Sequence, residues 1–325
     1  MMNLILEVGN RILEGGELSW EEALQLSQAQ GSDIQLLSAM AGKVREKYVG
    51  DKVDLCSIIS ARTGKCSEDC AFCAQSAHHH TNVKQHDFLD VEAIVSRAVE
   101  MEKAGAHHFD IVISGLGVRE DDADFAKILE AFTRIKAATK LDLCACLGTL
   151  TEGAARKLKD VGVTRYNHNL ETAKSFFPEI VTTHSYEERV KTIRIVKAMG
   201  MEVCCGGIIG LGETQEQRIE FAFTLKELDV DAVPINVLNP IKGTRLEGTQ
   251  PLNPMEVLKN FALFRFILPK KNIRYAGGRE VNLRDLQALG LMAGVNGMLV
   301  GSYLTTSGRD VKEDLQMIRD LGLRV

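Results

Sequence analysis

Eight short β-rich runs, each followed by a helical pattern, set the tightest limit on how this chain can fold. The runs are "LCSIIS" from Leu55, "FDIVIS" from Phe109, "LDLCACL" from Leu141, "TRYNHNL" from Thr164, "EVCCGGIIG" from Glu202, "DAVPINVL" from Asp231, "NIRYAG" from Asn272 and "GMLVG" from Gly297. Segments between them, such as "VEAIVSRAVEMEKAG" and "YEERVKTIRIVKAMG", carry apolar residues at helical spacing. They end at Gly105 and Gly200, as helix C-termini favour. Strands separated by helices cannot pair as hairpins and take parallel crossovers instead. Eight such units predict a (β/α)8 barrel of the TIM type, with functional side chains at the C-terminal ends of the strands. Residues 2–48 read as a helical leader in which "SWEEALQLSQA" opens on Ser19 as N-cap. The expected division is a leader over 1–48 and one barrel over 49–325 that includes the C-terminal helix.

Composition narrows the function classes. Of the 325 residues 45% are hydrophobic, enough for a sizeable core. The net charge is -5 and Lys and Arg are scattered along the helices, which leaves no basic patch for nucleic acid. No run reaches the roughly 18 apolar residues of a membrane span, and "MMNLILEVGNRILEGGELSW" lacks the basic start of a secretory signal. A cytoplasmic location is expected, where the eight cysteines are free thiols available to metals.

The stretch "RTGKCSEDCAFCAQSAHHH" gathers three of those thiols as Cys66-x-x-x-Cys70-x-x-Cys73. Closed zinc sites favour two CxxC pairs or a CxxC with a spaced His pair, and the chain has no second CxxC. Three thiolates on one loop suit a cubic 4Fe-4S cluster with one cysteine per iron and one iron left open to a substrate. His78, His79 and His80 read as loop residues. A second set of thiols lies on the runs themselves, as Cys144-Ala145-Cys146 and Cys204-Cys205. Sides alternate along a strand, so Cys144 and Cys146 share a face, whereas one of Cys204 and Cys205 packs outward. Cys144, Asn169, Cys204, Asn236 and Arg279 are polar or soft groups at or just past strand ends, where a barrel normally carries aliphatic layers.

The pattern CxxxCxΦC, with Phe72 as Φ, resembles the signature of the radical S-adenosylmethionine enzymes. Within them, "LCSIISARTGKCSEDCAFCAQSAHH" is similar to the biotin synthases, and the likeness extends from about Cys56 nearly to the C-terminus. The resemblance implies a sulfurtransferase that converts dethiobiotin to biotin. Its 4Fe-4S cluster on Cys66, Cys70 and Cys73 binds S-adenosylmethionine and cleaves it to a 5′-deoxyadenosyl radical, and a second cluster inside the barrel donates sulfur. It also implies a reducing partner such as flavodoxin or ferredoxin, and a homodimer.

Residue by residue, Cys144, Cys204 and Arg279 of "GGRE" match three ligand positions of that auxiliary cluster. At the fourth, the family's strand-two cysteine is replaced by Asp110. Carboxylate is a harder ligand than iron-sulfur units favour, so Cys146 is the expected substitute, with Cys205 in reserve. That change points from a 2Fe-2S to a 4Fe-4S type of auxiliary cluster. Arg189 in "YEERV" matches the arginine that pairs with the S-adenosylmethionine carboxylate. Gly206, Ile208 and Gly210 in "GGIIGLGET", ahead of Glu213, match the adenine-pocket segment. "YNHNLET" places Asn169 and Glu171 where an amide meets substrate and an acid meets ribose, and Asn169 with Asn236 suits a cyclic urea. Rival readings are a hydrogenase maturase or methylornithine synthase of the same subgroup, or a non-catalytic iron-sulfur or zinc protein.

Overall fold

The computed structural model describes residues 1–301, 303–304 and 308–325. Three leader helices, α1 (Met2–Leu13), α2 (Trp20–Leu26) and α3 (Ser32–Tyr48), precede strand β1 (Asp54–Arg62). The chain then alternates through α4 (Val91–Lys103), β2 (His108–Ile113), α5 (Ala123–Ala138), β3 (Asp142–Cys146), α6 (Glu152–Asp160) and β4 (Val163–Asn167). Next come one turn of helix, α7 (Phe177–Ile180), then α8 (Tyr186–Ala198), β5 (Glu202–Cys204), β6 (Gly207–Ile209), α9 (Gln215–Glu227), β7 (Ala232–Val237), α10 (Pro254–Ile267) and β8 (Asn272–Tyr275). Two short helices, α11 (Arg279–Leu283) and α12 (Gln287–Met292), lead to β9 (Gly297–Leu299) and α13 (Val311–Asp320).

The named strand pairings are parallel, β1 bonds to both β2 and β9, and the pairing of β5 with β7 closes the sheet. Cys204 of β5 and Gly207 of β6 both pair with β7, so these two pieces are one barrel strand and the expected (β/α)8 barrel is the observed fold. The interruption has a local cause. The carbonyl of Gly206 accepts from Leu170 and Glu171, and Ile208 N donates to the Glu171 carbonyl at 2.8 Å, so the following loop takes the place of a neighbouring strand. A Cβ on Gly206 would fall 1.8 Å from the Pro234 carbonyl oxygen, so only glycine allows this approach.

Most barrel helices bury one stripe. In α4 it is Ile94, Val95, Ala98 and Met101. The exception is α10, buried continuously from Val257 to Ile267, because the leader helix α3 packs on it from outside. Ser19 caps α2 through a capping box with Glu22, as its sequence indicates.

At the C-terminal end of α10, Arg265 is fully buried. Its guanidinium donates to the carbonyls of Gly294, Leu268, Pro269 and Lys271 and to Asn296 Oδ1 at 2.6 Å. Burial pushes its pKa down to about 9, while these acceptors and the negative end of the helix solvate the charge. Arg265→Met is expected to destabilise the protein by about 3 kcal/mol. A urea midpoint equal to that of the parent would show that the bonds contribute nothing net.

Candidate active site

Beyond Arg62 the chain turns over the C-terminal mouth of the barrel, where catalytic groups collect in this fold. Backbone bonds wind the turn on itself, with Cys66 N donating to Gln75 O at 3.1 Å, Cys73 N to Cys70 O at 2.9 Å and Ala77 N to Cys66 O at 2.8 Å. The winding brings Cys66, Cys70 and Cys73, all free thiols, onto one cavity of about 240 Å³. Burial pushes the Cys70 thiol up to about 12 and the Cys73 thiol up to about 11, a cost that a bound cationic cluster reverses. His78 and His79 bond through their rings to the carbonyls of Ser67 and Cys73, so they brace the loop as expected of loop residues.

Across that cavity stand Cys146, Asn169, Glu171 and Arg189. Arg189 is no solvated helix charge. It donates to the Asn169 carbonyl at 2.8 Å and to His184 Nε2 at 3.0 Å, and lies 3.6 Å from Glu171. Glu171 itself holds a left-handed backbone, φ 72°, strained for a residue with a Cβ, and burial pushes its carboxyl pKa up.

Phe72, Cys73 and Gln75 separate this space from a second cavity of about 250 Å³ lined by Ile208 and Asn236. Asn236 accepts from Gly277 N at 2.8 Å and donates to Gly207 O at 3.2 Å, and Asn169 Oδ1 accepts from Gly206 N at 3.1 Å. Backbone thus fixes both amides while each keeps hydrogen-bonding capacity for a guest. Of the glycine segment, Ile208 is the residue that lines these two cavities among the described residues. Gly206 and Gly210 shape the chain behind it, Gly210 N donating to Glu213 at 2.7 Å.

Deeper in the barrel a second set of thiols appears. Cys144 lies in register with Asp110 on β2 and with Arg165 on β4, and Cys204 with Asn167. The neighbouring Cys144 thiol, together with the nearby Arg274 charge, pulls the pKa of Cys56, on β1, below the usual thiol range against the effect of burial. Burial, reinforced by Cys56, pushes the Asp110 carboxyl well above its ordinary value. Asn167 donates to Asp110 Oδ2 at 2.6 Å.

Four buried polar atoms on this ring have no hydrogen-bond partner among the described residues: Asp110 Oδ1, Asn167 Oδ1, Arg274 Nε and Arg165 Nη1, the last lying 3.8 Å from Asp54 Oδ2. Buried groups are rarely left so, and this chemistry of three thiols with unmatched donors and acceptors fits an iron-sulfur guest. Among the described residues no three His, Cys, Asp or Glu side chains converge as tightly as a single ion needs. A cluster with one thiolate per iron spreads its ligands instead. Below the ring Asp54 accepts from His108 at 2.9 Å, Arg274 at 2.6 Å and Asn272 at 2.8 Å, forming an ionic floor.

Three sequence expectations change here. Cys146 shares the inward face with Cys144, but two residues of strand rise, about 7 Å, carry it up to the mouth cavity, and Cys56 stands beside Cys144 instead. Arg279 is not on the strand at all. It opens α11, fully buried, and donates to Asp314 at 2.6 Å and 3.0 Å and to Gln287. The arginine that β8 turns inward is Arg274, in "NIRYAG". Cys205, the reserve ligand, is fully buried in the apolar core outside the ring, as the alternation of sides requires of one member of its pair.

Comparison with known proteins bears on the same regions. Residues 61–225 match the model of the radical SAM superfamily, and residues 234–324 that of the biotin and thiamin synthesis associated domain. A biotin synthase of Carboxydothermus hydrogenoformans is 68% identical over 325 residues, covering 100% of both chains. One from Clostridium acetobutylicum is 58% identical over 321 residues, covering 99% of this chain and 98% of its own. Among solved structures, methylornithine synthase superposes with a TM-score of 0.84 at 22% identity, covering 98% of this chain and 96% of its own. The FeFe-hydrogenase maturase of Carboxydothermus hydrogenoformans gives 0.81 at 18%, covering 98% and 78%, and at these identities both share the fold alone. Full-length identity of this order, on a barrel whose mouth gathers the Cys66, Cys70 and Cys73 triplet, means that the chain belongs to the biotin synthase family of radical SAM enzymes.

Proposed function

We propose that the chain converts dethiobiotin to biotin with the mouth and the inner ring working as two separate iron-sulfur sites. The observation that carries the reading is the presence of two thiol groups at two heights of one barrel, with the polar amides Asn169 and Asn236 near the upper one. In this reading Cys66, Cys70 and Cys73 hold a 4Fe-4S cluster and Cys56, Cys144 and Cys204 hold the auxiliary cluster, with Arg274 beside it. When bound, the first supplies the electron that cleaves S-adenosylmethionine and the second supplies sulfur.

The protein's own groups do the rest. Arg189 pairs with the S-adenosylmethionine carboxylate, Glu171 meets its ribose, and Ile208 packs against the adenine. Asn169 and Asn236, each already fixed by a backbone partner, offer their remaining donors and acceptors to the cyclic urea of dethiobiotin. Three bound thiolates suit a 4Fe-4S type better than a 2Fe-2S unit with Asp110 as ligand. A flavodoxin- or ferredoxin-like reductant, a homodimer and a cytoplasmic location complete the reading. No described helix is long and apolar enough to cross a membrane.

Anaerobic incubation of the reconstituted protein with reductant, S-adenosylmethionine and dethiobiotin tests it. Release of 5′-deoxyadenosine together with biotin is expected. Release without consumption of dethiobiotin would move the chain to a sibling reaction. Arg189→Ala is expected to weaken S-adenosylmethionine binding by about 1.5–3 kcal/mol, the range for a charge-assisted bond. Equilibrium dialysis measures it, and equal affinity would remove Arg189 from the site.

A further inference from the structure

The cysteine motif contains two acids that bind no metal in the reading above, Glu68 and Asp69, between Cys66 and Cys70. Both reach across more than a hundred residues of sequence to the turn that precedes α8. Asp69 accepts from Thr182 N at 2.9 Å and from the Thr182 hydroxyl at 2.5 Å, and Glu68 Oε2 accepts from the Thr183 hydroxyl at 2.6 Å. Glu68 Oε2 also meets His184 Nδ1 at 2.6 Å. The other ring nitrogen of His184 faces Arg189 Nε at 3.0 Å.

The proton positions follow from the partners. A guanidinium nitrogen can only donate, so His184 Nε2 accepts, and the ring proton must sit on Nδ1, where it is donated to Glu68. His184 is therefore neutral and in one tautomer, with both nitrogens engaged and its side chain 3% exposed. Burial and the Arg189 charge favour the same neutral state. The ring also packs edge-on against Phe177, over which the Arg189 guanidinium lies 5.7 Å from the centroid. Arg189 spends Nε on His184 and Nη1 on the Asn169 carbonyl, which leaves Nη2 without a hydrogen bond among the described residues at the wall of the mouth cavity.

We propose that Glu68 and His184 form a positioning relay that aims Arg189 at the carboxylate of S-adenosylmethionine and ties that aim to the folding of the cysteine loop. The proposal rests on the reading of Arg189 as the carboxylate partner. Glu68 and His184 touch neither cofactor nor substrate and act through Arg189. Because the loop carrying Cys66, Cys70 and Cys73 is also the loop carrying Glu68, order in the cluster site and order in the carboxylate grip come together.

The test uses reconstituted full-length protein and compares His184→Leu with His184→Gln. Glutamine keeps an acceptor for Arg189 and a donor for Glu68, whereas leucine keeps the bulk and loses both. With iron and sulfide content equal to the parent, His184→Leu is expected to bind S-adenosylmethionine about tenfold more weakly, the loss of one hydrogen bond of ordinary strength. His184→Gln is expected to recover most of that affinity. In both variants the electron paramagnetic resonance change on saturation with S-adenosylmethionine should persist, because the open iron is untouched.

Parental affinity in His184→Leu, failure of glutamine to rescue, or a loss that tracks iron content would overturn the relay. If Arg189→Ala weakens binding while His184→Leu does not, only the relay fails. If Arg189→Ala has no effect, the carboxylate reading itself fails.

Discussion

Cys66→Ala, Cys70→Ala and Cys73→Ala are each expected to abolish release of 5′-deoxyadenosine from S-adenosylmethionine. The three thiols come from one loop and line one cavity, so no other described cysteine can stand in without unwinding the loop that Cys66 N, Cys73 N and Ala77 N hold closed. Cys146 is the only other thiol on that cavity, and it is fixed at the end of β3. Three of the four irons of a cubic cluster bound here would each rely on one thiolate, so losing any one removes the sole protein ligand of that iron. The assay is anaerobic chromatography of the nucleoside product after reduction. Turnover above background in any of the three single variants would sink the assignment of this loop.

The second large effect concerns the inner ring. Cys56→Ala, made in a Cys66→Ala/Cys70→Ala/Cys73→Ala background that isolates the ring, is expected to strip the remaining iron and sulfide. Cys144→Ala and Cys204→Ala should do the same. Asp110→Ala and Cys146→Ala should leave iron near the level of the background protein, since a carboxylate is a harder ligand than iron-sulfur units favour and Cys146 faces the upper cavity. Mössbauer spectra with iron and sulfide analysis read the outcome. A 2Fe-2S signal that vanishes in Asp110→Ala and survives Cys56→Ala would restore the familiar ligand pattern, with Asp110 in place of its strand-two cysteine. In the otherwise intact protein, Cys56→Ala should stop biotin formation and leave S-adenosylmethionine cleavage running.

How legible these features are depends on their distance along the chain. The barrel was readable because alternation of strand and helix is a local pattern, and so was the mouth loop, whose three cysteines lie within eight positions. The inner ring was only half readable. Strands buried on both faces are apolar on both, so period alone does not say which side of "LCSIIS" or "NIRYAG" looks inward. Cys56, between Leu55 and Ser57, and Arg274, between Ile273 and Tyr275, carried no mark, whereas Arg279 stood out in "GGRE" although the chain has left the sheet by then. Register could have found Cys56: β1 pairs it with His108, one inward step below Asp110. Glu68 and His184 meet across 116 positions, a contact no spacing rule reaches. The all-round burial of α10 depends on α3 covering it, and nothing within either helix says so.

Strand β1 has a consequence for how this molecule can change over generations. It places Cys56 in the ring near its start and, beyond Arg62, launches the loop that carries Cys66. The same peptide therefore acts as a ruler between two groups of thiols, graduated in twos as far as Ser60, where its register with β2 shifts. Deleting one residue from it would do more than shorten the spacing by about 3.3 Å. With the mouth loop held in place it would turn Cys56 to the helix side of the wall, and with Cys56 held in place it would draw the mouth loop down by one step. Outer loops carry no such restriction, whereas between Cys56 and Ser60 the spacing of the two thiol groups keeps its facing only when it changes by two residues.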